Sequence, residues 1–253
     1  MKIDEILNQY KNPEKAKILQ RFFKTGKGEY GEGDIFLGLT MGQNRDIAKK
    51  FSNLDFESIQ ELLDSEIHEK RMIGLLILVD KFKDYPTEVY DFYLKNAKKI
   101  NNWDLVDLTS HKIVGKFLLD KPRDILYDLV KSENLWEKRI AIISTYAFIR
   151  EGEFEDTLKI AEILLGDKHA LKIQRILGPR NSRSRLRARD VNVSPDLIHK
   201  GVGWMLREVG KKNQEVLEGF LKKHYKKMPR TMLRYSIERF DEELRQKYLK
   251  GEV

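Results

Sequence analysis

The segment Asn101-Asn102-Trp103-Asp104-Leu105-Val106-Asp107 sets an indole and a carboxylate four residues apart, which on a helix brings Trp103 and Asp107 to one face. Such a pair suits a cation, because the ring face attracts positive charge and the carboxylate adds a full negative one, more strongly where water is thinned out. The same spacing also suits a core tryptophan beside a solvated aspartate. The other two tryptophans favour the first reading. Trp136 precedes Arg139, and Trp204 precedes Arg207, each by three residues, so related stretches of chain each offer an aromatic and a charged group. A guanidinium next to an aromatic surface suits a phosphate beside a sugar or base.

Other chemistries are excluded or find little support. The chain has no cysteine, which removes disulfides, zinc ribbons and thiol nucleophiles. Its histidines, His68, His111, His169, His199 and His224, are scattered without a metal-ligand spacing, so neither a metal nor another cofactor is expected. A literal G-x-G-x-x-G stands at Gly26, Gly28 and Gly31, but the preceding Ile18-Leu19-Gln20-Arg21-Phe22-Phe23 reads as a helix, whereas a phosphate loop of this type follows a strand. A connector is expected there.

The elements that must position these groups are helices. Apolar residues recur at helical spacing, as in Ile59, Leu62, Leu63 and in Leu158, Ile160, Ala161, Leu164, Leu165, and no stretch alternates with period two. Asn12-Pro13, Ser132 before Asn134, and Ser194-Pro195 read as helix starts. A repeat is visible. Ile67-His68-Glu69-Lys70-Arg71 matches Leu135-Trp136-Glu137-Lys138-Arg139, two periods of about 34 residues apart, with Asn102-Trp103-Asp104 midway, as in stacked helix pairs. Leu197-Ile198-His199-Lys200-Gly201 is the next relative, delayed by roughly 26 residues beyond one period. The excess coincides with Ala170 to Pro195, where seven Lys and Arg face the single acid Asp190 and carry about +6 of the formal charge of +8. We read residues 170–195 as a basic insertion, a solvated or disordered segment or a nucleic-acid-binding arm, inside one repeat domain spanning 1–253. The acidic first residues and the absence of any apolar run near 18 residues lead us to expect a soluble, cytoplasmic chain with no membrane partner.

At these residues the sequence resembles the AlkD-like DNA alkylation repair proteins, over nearly the whole chain except 170–195. The resemblance is carried by Phe36-Leu37-Gly38, Asn102-Trp103-Asp104-Leu105-Val106-Asp107, Leu135-Trp136-Glu137-Lys138-Arg139, Gly203-Trp204-Met205-Leu206-Arg207-Glu208 and Met228-Pro229-Arg230-Thr231-Met232-Leu233-Arg234-Tyr235. It implies an all-α, HEAT-like helical-repeat solenoid with a concave DNA-binding face. It also implies an N-glycosylase that excises cationic alkylated purines, of the 7-methylguanine and 3-methyladenine type, from duplex DNA without flipping the base. Trp103, Asp107, Arg139 and Trp204 match the family's site positions, and Trp136 is expected in the core. Arg207, Lys211, Lys212, Arg230 and Arg234 are candidates to follow the DNA backbone. The chain departs from the pattern at Met41-Gly42, where a proline often follows Phe-Leu-Gly, and in the insertion. The expected partner is double-stranded DNA carrying alkylated bases, bound by a monomer; the alternative is an inactive DNA-binding or protein-scaffold module. If 170–195 is an insertion, joining His169 to Asp196 restores the period, and the shortened chain keeps a cooperative melt and its base-release activity. Loss of folding on that deletion refutes the insertion.

Overall fold

The computed structural model describes residues 3–166 and 195–253, and the segment read as an insertion lies outside them apart from Pro195. Every regular element among the described residues is helical, and no helix among them is long and apolar enough to cross a membrane. The chain packs as two compact units, one running to Thr109 and the other starting at Ser110.

The first unit contains α1 (Ile3–Tyr10), α2 (Pro13–Phe22), α3 (Met41–Lys50), α4 (Phe56–Leu63), α5 (His68–Lys81), α6 (Pro86–Lys95) and most of α7 (Trp103–Ser110). Local chemistry sets the starts. Asn12 accepts from the Lys15 amide ahead of Pro13, Thr40 and Gln43 form a reciprocal capping box, and Asp55 accepts from the Ser58 amide. Helix α5 is buried all round from Arg71 to Leu78, with Met72, Ile73, Leu75, Leu76, Ile77 and Leu78 in the core, and it is the centre about which α3, α4 and α6 pack. Gly74 lets it lie close to α4, since a Cβ there would sit 3.2 Å from the Leu62 Cβ.

The link from α2 to α3 is a loop folded on the start of α5. After α2 come turns in which Gly28 and Gly33 have positive φ, so a helix precedes the glycine run, as the sequence suggests. Ile35 then forms a single bridge, its amide donating to the Glu66 carbonyl and its carbonyl accepting from the His68 amide. At Gly38 the chain is in the left-handed region, φ +92°, and passes so close to α2 that a Cβ would lie 2.2 Å from the Asn12 carbonyl oxygen.

The second unit begins where α7 passes into a π-helical turn, His111–Gly115, followed by α8 (Asp124–Leu129), α9 (Leu135–Ser144), α10 (Tyr146–Arg150), α11 (Glu155–Leu165), α12 (Pro195–Lys212), α13 (Gln214–His224), α14 (Arg230–Ser236) and α15 (Glu242–Lys250). Helix α12 is the hub, with α9, α10, α11, α13 and α14 against it. Gly203 admits α14, as a Cβ there would stand 2.6 Å from the Tyr235 Cβ and 2.7 Å from the Met232 carbonyl oxygen.

Gly38 combines a left-handed backbone with a blocked Cβ, whereas Gly33 has φ +88° and open space around it. Gly33→Ala therefore costs about 1 kcal/mol from backbone strain alone, and Gly38→Ala costs more than about 3 kcal/mol because overpacking adds to the strain. Urea unfolding at matched m-values distinguishes the two, and equal losses refute the close approach.

Candidate functional site

The first turn of α7 carries the motif from which the sequence reading starts. Fully buried Asn102 accepts the Trp103 amide on its Oδ1 at 2.9 Å, and Asp104 accepts the Leu105 amide on its Oδ1, also at 2.9 Å. These bonds satisfy amides that a helix start leaves without intrahelical partners. Trp103 itself is half-buried and, like Leu19, packs against the buried cluster of Ala16, Phe23 and Phe36. Its indole stacks on Phe23 at 5.1 Å, Phe23 stacks on Phe36 at 5.0 Å, and Phe36 stacks on the imidazole of His68 at 4.4 Å. The result is a column of four rings drawn from α7, the C-cap of α2, the loop and α5. Phe22, 60% exposed, meets the Trp103 edge at 5.9 Å.

The Phe-Leu-Gly motif serves this column. Phe36 is one of its rings, and the amides that follow, those of Leu37, Gly38 and Leu39, donate to the buried Glu69 carboxylate at 2.8 to 3.2 Å. A carboxylate accepting several amides replaces the water those groups would otherwise require.

Beneath the rings lies a buried ionic cluster. His68 places Nε2 2.9 Å from the Asp104 Oδ2 and Nδ1 3.3 Å from the Asp34 Oδ2, while the Arg71 guanidinium is 2.6 Å from the Asp34 Oδ1. Asn102 adds a longer contact from Nδ2 to Asp34 Oδ2, 3.4 Å. Burial alone would drive the imidazole pKa down, but the charge and hydrogen bond of Asp104, with the bond from Asp34, outweigh it and push the value up to about 9. His68 is therefore an imidazolium at neutral pH. Burial likewise acts to raise the Asp34 carboxyl, and the His68 bond with the Arg71 charge overcomes it and holds the group below the usual carboxylate range. The scattered histidines of the sequence thus include one with a defined electrostatic task. Among the described residues no group of His, Cys, Asp or Glu is arranged to hold a metal ion.

Asp107, one turn beyond Trp103, is half-buried. Its charge is felt by Tyr93, whose phenol is raised first by complete burial and further by Asp107. The Tyr93 hydroxyl donates to Thr109 Oγ1 at 2.9 Å, and Thr109 in turn donates to the Leu105 carbonyl at 2.5 Å, so the proton positions follow from the order of the chain.

In the second unit Trp136 is buried, as expected of a packing residue. Arg139 is only 4% exposed, and its Nη1 donates to the Leu197 carbonyl of α12. Gly201 makes room for it, since a Cβ there would lie 3.1 Å from that nitrogen. Trp204 is half-buried, donates from Nε1 to Glu208 Oε1 at 3.2 Å, and lies 6.0 Å from the Tyr146 ring, which in turn meets His111 at 5.3 Å. Glu208 is the local anion. Arg207 Nε lies 3.5 Å and Lys211 Nζ 2.6 Å from its carboxylate, and Arg207 also bonds Glu238. Lys212 donates to the Arg150 carbonyl and Arg230 to the Leu249 carbonyl, both from exposed positions, and Arg234 is exposed. The structure therefore gathers Trp204, Arg207 and Lys211 around Glu208. Phe23, His68, Asp104, Tyr146 and Glu208 are site neighbours that sequence reasoning misses, and only Asp104 and Glu208, inside the Trp103 and Trp204 motifs, carry a local signal.

The sequence matches the family model described as DNA alkylation repair enzyme over residues 3–175 and 180–240, the break falling within the 170–195 segment. Among solved structures it is similar to one titled as a predicted DNA alkylation repair enzyme from Enterococcus faecalis, with a TM-score of 0.62 at 15% identity over 92% of this chain and 97% of that one, a likeness of fold. No curated protein matches.

Because His68 has a folded-state pKa near 9 against an ordinary 6.5, its contribution to stability is complete below pH 6.5 and is lost as pH rises through 9. Relative to His68→Gln, the unfolding free energy of the native sequence falls by about 3 kcal/mol across that window. Urea melts at intervals between pH 6 and 10 measure it, and parallel curves for the two proteins refute the buried imidazolium.

Proposed function

The chain belongs to the DNA alkylation repair enzyme family, and on that premise we propose that it is an N-glycosylase releasing cationic alkylated purines from duplex DNA. The observation that carries this reading is the seat of Trp103: a half-exposed indole, fixed from behind by a ring column, one helix turn before the half-buried carboxylate of Asp107.

Alkylation at N7 or N3 gives the purine a formal positive charge, so it leaves readily. As the bond from N9 to C1′ breaks, its electron pair returns to the base, which departs neutral, and positive charge moves to the deoxyribose as an oxocarbenium ion. Catalysis then consists of favouring that charge. The Asp107 carboxylate does so through space, and an aromatic face supplies attraction without a competing nucleophile. Water adds to C1′, and Asp107 takes the proton it loses. By the family resemblance Trp204 is the second aromatic of the site, and Arg207, Lys211, Lys212, Arg230 and Arg234 are the cations of the second unit suited to backbone phosphates. The guanidinium of Arg139, anchored on the Leu197 carbonyl, works by seating α12 and with it Trp204. Tyr93 keeps its proton far into the alkaline range, so this neighbour does not compete with Asp107 for the role of base.

In Asp107→Asn, release of 7-methylguanine from methylated duplex DNA falls by roughly 100-fold or more, while duplex binding followed by fluorescence anisotropy is retained. Native-like release by the variant removes Asp107 from the mechanism. Salt-sensitive DNA binding by the native protein without any base release establishes a binding module instead.

A further inference from the structure

We propose that His68 and Asp104 form a positioning device for Trp103, holding the first turn of α7 and the base of the ring column to one buried imidazolium so that the indole keeps a single seat. Only the activity arm of this inference rests on the glycosylase reading.

Three tethers converge on Trp103. On its C-terminal side Asp104 joins the imidazolium, through Oδ2, to the helix backbone, through Oδ1 and the Leu105 amide. On its N-terminal side Asn102 accepts the Trp103 amide and extends its own amide group to Asp34, the other carboxylate facing His68. Behind the indole, Phe23 and Phe36 pass the contact from the Trp103 face to the face of the imidazolium. The groups facing His68 are thus Asp34 from the loop, Asp104 from α7, Arg71 from its own helix and the two phenylalanine rings.

Packing alone does not call for this arrangement. Apolar side chains of similar volume hold helices together without the desolvation cost of buried charges, and they do so as well or better. What apolar contact lacks is direction, which hydrogen bonds to an ionised ring supply at both nitrogens. Direction matters where a side chain is incompletely buried and has work to do at its open face, which is the situation of Trp103.

The test is fluorine NMR of the full chain labelled with 5-fluorotryptophan, which gives three resonances, one of them assigned by its loss in Trp103→Phe. Between pH 7 and 10 the Trp103 resonance is expected to move with a midpoint near 9, while those of Trp136 and Trp204 stay in place. In His68→Gln it does not titrate, and in Asp104→Asn, where the imidazolium loses a counter-charge, its midpoint drops. In the excision assay His68→Gln lowers kcat on the order of 10- to 100-fold, as small misplacements of a site group do, with KM changed by less than about twofold. A Trp103 resonance that stays flat in the native protein, or a His68→Gln enzyme with native kcat, overturns the inference. A titrating resonance in a protein that releases no base upholds the tether and overturns the glycosylase reading.

Discussion

An imidazolium kept out of water between two carboxylates holds only while every partner stays in place, because removing one leaves a buried charge uncompensated at a cost of about 3 to 5 kcal/mol. His68 draws one carboxylate from the loop, Asp34, and the other from α7, Asp104, while Arg71 of α5 pairs with the second oxygen of Asp34. The first unit is therefore organised around one buried ionic cluster. The ring column rests on it, α7 starts from it, and the loop lies against it. With Asp34, His68, Arg71 and Asp104 all buried, each of these bonds is stronger than it would be at the surface.

The second unit secures its tryptophan by different physics. Around Trp204 the charges of Arg207, Lys211 and Glu238 keep much of their contact with water, where each ion pair contributes little on its own. The strong constraint is steric. Gly201 and Gly203 bring α12 against Arg139 and α14 so closely that a single added methyl meets a guanidinium on one side and backbone on the other. Trp204 is thus aimed by where its helix lies, and Trp103 by what its own turn is bonded to.

Much of this was legible in the sequence, for identifiable reasons. Helical periodicity follows from burial, so the elements and their repeat could be read directly. The match between the stretches ending at Arg71 and Arg139 has a physical counterpart, since both arginines are buried and both donate from Nη1 to a backbone carbonyl, Ser65 in one case and Leu197 in the other. Arg139, which the resemblance puts among the site residues, thus has one guanidinium nitrogen on the backbone of α12. The spacing of Trp103 and Asp107 is local, and both residues lie on α7. The ionic cluster was invisible because His68 meets its carboxylates across 34 and 36 residues, and no window centred on the histidine contains either partner. Phe36-Leu37-Gly38 stood out as a motif, yet nothing near it points to Glu69.

The three amides of that loop raise a matter of timing. Leu37, Gly38 and Leu39 find their acceptor 30 to 32 residues downstream, in a side chain that reaches them only after α5 has docked. Until then the loop is an array of amide donors without its anion, and closing so distant a contact is slow compared with forming either helix beside it. Order in this stretch is consequently a late event in the life of the chain. Hydrogen exchange at these three positions would report the opening of α5, a helix to which none of them belongs.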